Sequence, residues 1–158
     1  MRSYCCIPSP LGVLTMVEDD GRLTRLDFGE RIEEGACGRR TPLFEDAERQ
    51  LNEYFDGQRS FFDLPLGLEG TPFQLAVWDA LRKIPYGRTR TYQDIAEQIG
   101  HPNAMRAVGM ANHRNPIAIV VPCHRVIGAS GRLTGYGGGL DKKEYLLSME
   151  HVCAQYDK

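Results

Sequence analysis

No stretch of the 158-residue sequence stays apolar long enough to cross a membrane: the longest uninterrupted run, Ile117–Val121, falls far short of the ~20 residues a spanning helix needs. Pro8 and Pro10 break the only segment where a signal peptide would lie, so a soluble, cytoplasmic protein is expected. There is no Cys-x-x-Cys pair and the cysteines number five, which excludes a disulfide framework and a zinc ribbon. Cys5 and Cys6 are adjacent, so in an extended segment they face opposite ways and make poor joint ligands; no metal is expected. The glycine-rich run from Gly135 to Gly139 gives neither G-x-G-x-x-G nor a following G-K-[ST], which removes the nucleotide-phosphate cradle, and no cofactor is expected. Internal repeats are absent. What remains, 42% hydrophobic and 25% charged, is an ordinary globular composition.

The net charge of −2 hides an uneven distribution. Residues 1–81 hold eight basic and fifteen acidic side chains, whereas residues 82–132 hold eight basic and two acidic, a +6 block that suits one face meeting a polyanion. The pattern of elements also divides the chain. Leu11–Val17 and Leu23–Phe28 around Glu18-Asp-Asp-Gly21 read as a hairpin, and Pro42–Phe55 carries Leu43, Ala47, Leu51, Tyr54 and Phe55 at helical spacing, with Gly57 as its stop. The Pro- and Gly-bearing stretch from Asp63 to Gly70 marks a boundary, giving a first domain of residues 1–70 and a second of 71–158.

In the second domain, Thr71 and Pro72 open a helix with Phe73, Val77, Trp78 and Leu81 on one side. Thr91 and Asp94 form a capping-box pattern before Tyr92, Ile95, Ala96 and Ile99. Beyond Gly100-His-Pro102, Asn103 caps a helix whose Ala104, Ala107, Val108 and Ala111 pack inward, leaving Met105, Arg106, Gly109, Asn112 and His113 outside. Two short helices about a tight turn make a helix-turn-helix. Ile117–Val121 reads as a buried strand closed by Pro122, Val126-Ile127 and Leu133-Thr134 as a wing hairpin, and Tyr145, Leu146 and Met149 as the inner face of a last helix.

Pro122-Cys-His-Arg125 is the densest chemistry. A thiol is a strong nucleophile only as thiolate and needs a neighbouring base or positive field; His124 and Arg125 supply both types. Adjacent side chains on a strand diverge, so a Cys–His partnership requires a turn or a bridging water. Taken alone, a Cys-His-Arg run more often marks an inert buried cysteine beside a surface arginine than a nucleophile.

Several motifs taken together resemble the O6-alkylguanine-DNA alkyltransferases, also called methylated-DNA–protein-cysteine methyltransferases. They are Ile84-Pro-Tyr-Gly-Arg-Thr-Arg-Thr-Tyr92, Arg106-Ala-Val-Gly109, Asn115-Pro116, Val121-Pro-Cys-His-Arg-Val-Ile-Gly128 and Leu133-Thr-Gly-Tyr-Gly-Gly-Gly139, in order across residues 71–150. Residues 1–70 match loosely. The resemblance implies an α/β (α+β) chain: a small N-terminal sheet-plus-helix, ribonuclease-H-like domain, then a winged-helix-type domain. It also implies a monomer that flips O6-alkylguanine, and O4-alkylthymine, out of double-stranded DNA and takes the alkyl group once, irreversibly, onto Cys123.

His124, acting through water and oriented by Glu150, would take the thiol proton, and Asn115 would brace the turn. Arg106 would fill the hole left by the flipped nucleotide, with Ala107, Gly109, Asn112 and Arg114 on the same DNA-facing helix. Tyr92 would press on the phosphate and help protonate the departing guanine. The carbonyls of Cys123 and Val126 would read the base edge, and Pro122, Tyr136 and the Gly137 backbone would shape the pocket. Some members carry serine where this chain has Gly137, some vertebrate members carry a zinc pattern not visible here, and alkyltransferase-like members have tryptophan in place of the cysteine. Two other classes fit parts of the sequence: a helix-turn-helix regulator, which leaves Cys123 idle, and a Cys-His-Glu hydrolase, which leaves Arg106 idle.

Overall fold

In the computed structural model, which describes residues 2–131, 133, 136 and 138–156, the chain forms two compact units. One contains Met1–Leu68 together with Pro116–Ala118; the other contains Glu69–Asn115 and Ile119–Lys158. The architecture is mixed α/β, an N-terminal sheet unit followed by a largely helical one.

The first unit is built on a four-stranded sheet in the order β3-β2-β1-β4. Its strands are β1 (Arg2–Ile7), β2 (Leu14–Asp19), β3 (Arg22–Phe28) and the short β4 (Cys37–Gly38). The hairpin is joined by Asp20 and Gly21 at φ 54° and 76°, the two left-handed positions of a type I′ turn, which suits the twist of the strands it links. β1, in which buried Ser3, Cys5 and Ile7 alternate with less buried residues between β2 and β4, had no counterpart in the sequence reading, which saw only two adjacent cysteines there. Helix α1 (Pro42–Phe55) starts at Thr41, whose hydroxyl accepts the Phe44 N–H, and is followed by Gly57 at φ 76°. It buries Phe44, Ala47, Leu51 and Tyr54; Phe44 takes the inward place expected for Leu43. Gln50, also buried, exchanges two 2.9 Å hydrogen bonds with the Asp63 backbone and so fixes the segment leaving the helix.

The expected strand Ile117–Val121 does not form. Ile117 makes one bridge to Leu26 of β3, with Leu26 N–H donating to Pro116 O and Ala118 N–H to Leu26 O, and Ile119 then turns at φ 71°. The β-branched run is buried, as its composition requires, but a left-handed residue in its middle breaks the ladder.

In the second unit, α2 (Pro72–Arg82) and α3 (Tyr92–Gln98) each begin at a full capping box, Thr71 with Gln74 and Thr91 with Asp94. α4 (Met105–His113) starts from Ala104 without a side-chain cap, so Asn103 is not the N-cap. Trp78 on α2 ties the helices together, its indole N–H donating to Ala111 O at 2.8 Å. The two-residue strand β5 (Arg90–Thr91) pairs in parallel with β6 (Val126–Ile127). That pairing replaces the expected wing: Leu133 lies in no strand, and Thr134 lies outside the described residues. The chain closes with α5 (Leu140–Tyr156), whose buried positions up to Glu150 are Lys143, Leu146 and Glu150; Tyr145 is 40% exposed and Met149 only half-buried, contrary to the expected inner face. Among the described residues no helix is long and apolar enough to cross a membrane, and no three His, Cys, Asp or Glu side chains cluster to hold a metal.

Candidate active site

Pro122 turns the chain, and Cys123–Arg125 form a single 3₁₀ turn, with Cys123 N–H donating to Val121 O at 2.8 Å and Arg125 N–H to Pro122 O at 3.0 Å. The turn resolves the divergence expected of adjacent strand residues. It buries all three side chains, with Cys123 only 6% exposed and His124 fully enclosed. The Asn115 amide braces it, donating to Val121 O at 2.8 Å.

His124 Nε2 lies 2.7 Å from Glu150 Oε2. Arg125, far from being a surface residue, grips the same carboxylate with two hydrogen bonds, Nε to Oε1 at 2.8 Å and Nη2 to Oε2 at 3.0 Å. Its third nitrogen donates to Ile84 O at 2.8 Å, and the guanidinium lies over the Tyr86 ring at 5.6 Å. Burial alone would raise the Glu150 carboxyl, but His124 and Arg125 overrule it and hold it at about 2, so it is an anion at neutral pH. Burial also pushes the His124 imidazole below its ordinary range, against the pull of Glu150. A neutral imidazole facing a carboxylate carries its proton on Nε2. That leaves Nδ1 as a lone pair, buried and with no hydrogen-bond partner among the described residues, an acceptor held ready for a proton.

Burial pushes the Cys123 thiol up; the Asn115 amide, the Lys143 charge and the Tyr136 hydroxyl draw it back. Tyr136 is itself raised well above the ordinary phenol range by burial and by Cys123, so its hydroxyl stays protonated beside the sulfur. The structure therefore brings together Cys123, His124, Glu150, Asn115 and Tyr136, with Pro122 and Val126 buried at either end of the turn. Gly137 lies outside the described residues. Cys123 O already accepts the Val126 N–H and, at 3.4 Å, the Asn112 amide, which leaves that carbonyl little capacity to read a base.

Asn112 is thus turned inward, 3% exposed, rather than standing on the outer face of α4. It occupies the helix phase next to buried Val108 and Ala111, while Ala107, expected inside, is exposed with Arg106 and Arg114. Tyr92, the first residue of α3, lies beside Gly109 of α4, where a Cβ would meet its ring at 3.9 Å. Sequence reasoning missed the clamp of Arg125 on Glu150 and the burial of Lys143. The second carried a signal, since Lys143, Leu146 and Glu150 share one stripe of a helix.

Two family comparisons divide the chain. Residues 3–68 match the 6-O-methylguanine DNA methyltransferase, ribonuclease-like domain, and residues 72–152 match the 6-O-methylguanine DNA methyltransferase, DNA binding domain. A methylated-DNA–protein-cysteine methyltransferase of Methanosarcina acetivorans is 51% identical over 95% of this chain and 99% of its own. One of Mycobacterium tuberculosis is 52% identical over 99% and 97%. The crystal structure of Mycobacterium tuberculosis OGT in complex with DNA superposes with a TM-score of 0.89 at 51% identity, covering 96% of this chain and 94% of that one.

Proposed function

The chain belongs to the 6-O-methylguanine DNA methyltransferase family, and from that membership we propose that Cys123 is the residue that accepts the alkyl group. The chain binds DNA and repairs it by transferring an alkyl group from a methylated base to one of its own cysteines. The observation that carries the assignment to Cys123 is the buried turn that sets this thiol beside an imidazole whose Nδ1 is free to accept and whose Nε2 is fixed by Glu150. The thiol proton passes through a bridging water to His124 Nδ1. The sulfur electron pair forms the S–C bond as the C–O6 bond breaks, and the base departs with that electron pair. A proton from the Tyr92 hydroxyl neutralises it, Tyr92 recovers one from solvent, and His124 releases its own. A thioether is a poor leaving group, so each molecule acts once.

DNA contact is assigned to the helix-turn-helix of α3 and α4, with exposed Arg106 taking the place of the flipped nucleotide, and the substrate to O6-alkylguanine in duplex DNA, met by a cytoplasmic monomer.

The test is intact mass after incubation with duplex DNA carrying one O6-methylguanine. Wild type gains a single methyl per chain, mapped to Cys123, and stops. Cys123→Ser gains none and keeps its DNA affinity within a few-fold, since affinity comes mainly from phosphate contacts. A methyl group on another cysteine would overturn the assignment.

A further inference from the structure

Two buried side-chain atoms that can only accept a hydrogen bond have no partner among the described residues: Nδ1 of His124, whose proton sits on Nε2, and Oδ1 of Asn112. A buried acceptor left unpaired costs free energy, so each calls for a donor supplied from elsewhere. The first is the proton acceptor already placed in the reaction. The second, on a side chain only 3% exposed, has no part in it.

Asn112 stands in the last turn of α4, and its Nδ2 donates to the Cys123 carbonyl at 3.4 Å. That contact fixes which end of the amide is which, because with the two ends exchanged the amide oxygen would face a carbonyl oxygen. The free Oδ1 is therefore held within one amide's width of the Cys123 main chain. Cys123 O itself is filled, since it takes the Val126 N–H as well as the Asn112 amide and a carbonyl has two lone pairs. A donor arriving beside the thiol thus finds its open acceptor on the asparagine rather than on that carbonyl.

The alkylated base carries one such donor. Alkylation at O6 of guanine removes the hydrogen from N1, so the ring nitrogens N1, N3 and N7 only accept and the exocyclic 2-amino group is the sole N–H on the base. We infer that this 2-amino group donates to Asn112 Oδ1, which makes Asn112 a specificity-determining residue for alkylated purines that bear a 2-amino group. O6-alkylhypoxanthine, which lacks that group, and O4-alkylthymine, whose N3 has lost its hydrogen, offer no N–H and leave the oxygen buried and unpaired. One helix then serves the base twice. Arg106, on its exposed face, takes the place the base has left, and Asn112, six residues on and about 9 Å along the axis, holds the base that left it. Asn112 exchanges no proton with the substrate.

The inference rests on Cys123 being the alkyl acceptor, so the adduct is located by peptide mapping in every reaction. A methyl group found elsewhere speaks against that reading, whereas the comparison of substrates speaks to Asn112. Single-turnover transfer rates are measured for wild type and Asn112→Leu, a change that nearly conserves volume, on one duplex carrying either O6-methylguanine or O6-methylhypoxanthine. The ratio of the guanine rate to the hypoxanthine rate is expected to fall roughly tenfold in Asn112→Leu, the worth of one enclosed hydrogen bond. Damage to the Cys123 turn slows both substrates alike, and any difference in how readily the two bases leave the stack is common to both proteins, so each cancels in the comparison. A merely structural Asn112 would leave the ratio where it is in wild type, and that result would overturn the inference. Should Asn112→Leu fail to fold, the carbon-13 resonance of the Asn112 side-chain carbonyl decides the matter in Cys123→Ser, which binds the damaged duplex without consuming it. It is expected to move downfield with the O6-methylguanine duplex and not with the O6-methylhypoxanthine duplex; the same position in both complexes would refute the contact.

Discussion

Glu150 is the residue on which the site's charges converge, and its environment makes stability depend on pH in a defined direction. Its carboxyl titrates at about 2 in the folded protein, below the ~4.3 of an unfolded chain, so the unfolded state binds the proton first as pH falls. The resulting stabilisation, on the order of 3 kcal/mol, is fully present above about pH 4.5 and is lost between there and pH 2. His124 acts with the same sign in a higher window, because its lowered folded value makes the unfolded chain take up a proton first below about pH 6.5. Glu150→Gln is expected to cost about 3–5 kcal/mol at pH 7, since it leaves Arg125 buried and unpaired, and to flatten the acid limb of the stability curve. Urea unfolding at a series of pH values measures both effects. A variant curve parallel to wild type below pH 4.5 would show that the carboxylate is not held as described. Alkyl transfer should slow as well, because an amide no longer fixes the proton on Nε2.

At the scale of elements, the two capping boxes separate stability from function. Each threonine hydroxyl satisfies an N–H at the head of its helix, so Thr71→Ala and Thr91→Ala should each cost about 1 kcal/mol in denaturant unfolding. Only Thr91→Ala should also weaken DNA binding, because Tyr92 follows it directly, whereas α2 carries no proposed DNA contact. Equal losses of affinity in both variants would argue that α3 has no special part in the interface. These helix starts were legible in the sequence because a cap acts over three residues and carries its own chemistry. So was the α1 span, bounded by Pro42 and Gly57. The failures share the opposite cause. Whether Ile117–Val121 ladders or turns, whether Asn112 points out or toward Cys123 O, and whether Arg125 is solvated or clamped by Glu150 are each settled by a partner distant in sequence. Cys123 and His124 stood out in the sequence by residue type and adjacency, Asn115 and Glu150 only through the family resemblance; the burial of Lys143 was not legible, because one lysine in a charged helix start resembles any other.

For the molecule as a whole, the discontinuity of the first unit matters most. Pro116–Ala118 belongs to it and completes the edge of β3 through both hydrogen bonds of Leu26. Ile117 is fully buried there, and Ile117→Ala should cost about 2–5 kcal/mol while releasing the Leu26 amide to faster hydrogen exchange. Unchanged exchange at Leu26 would show that the bridge does not hold that edge. The bridge also has a consequence in time. Leu26 and Ile117 are about 90 residues apart, and at synthesis rates of roughly 5–20 residues per second the strand waits on the order of 5–20 s for its partner to be made. During that interval β1, β2 and the Asp20-Gly21 turn have their local contacts and Leu23 can pair with Pro65–Gly67, while the Leu26 stretch of the β3 edge still lacks its partner. For a protein that works once per molecule, repair capacity is replenished only by new chains, and each of them must pass through this stage with part of its sheet edge unpaired.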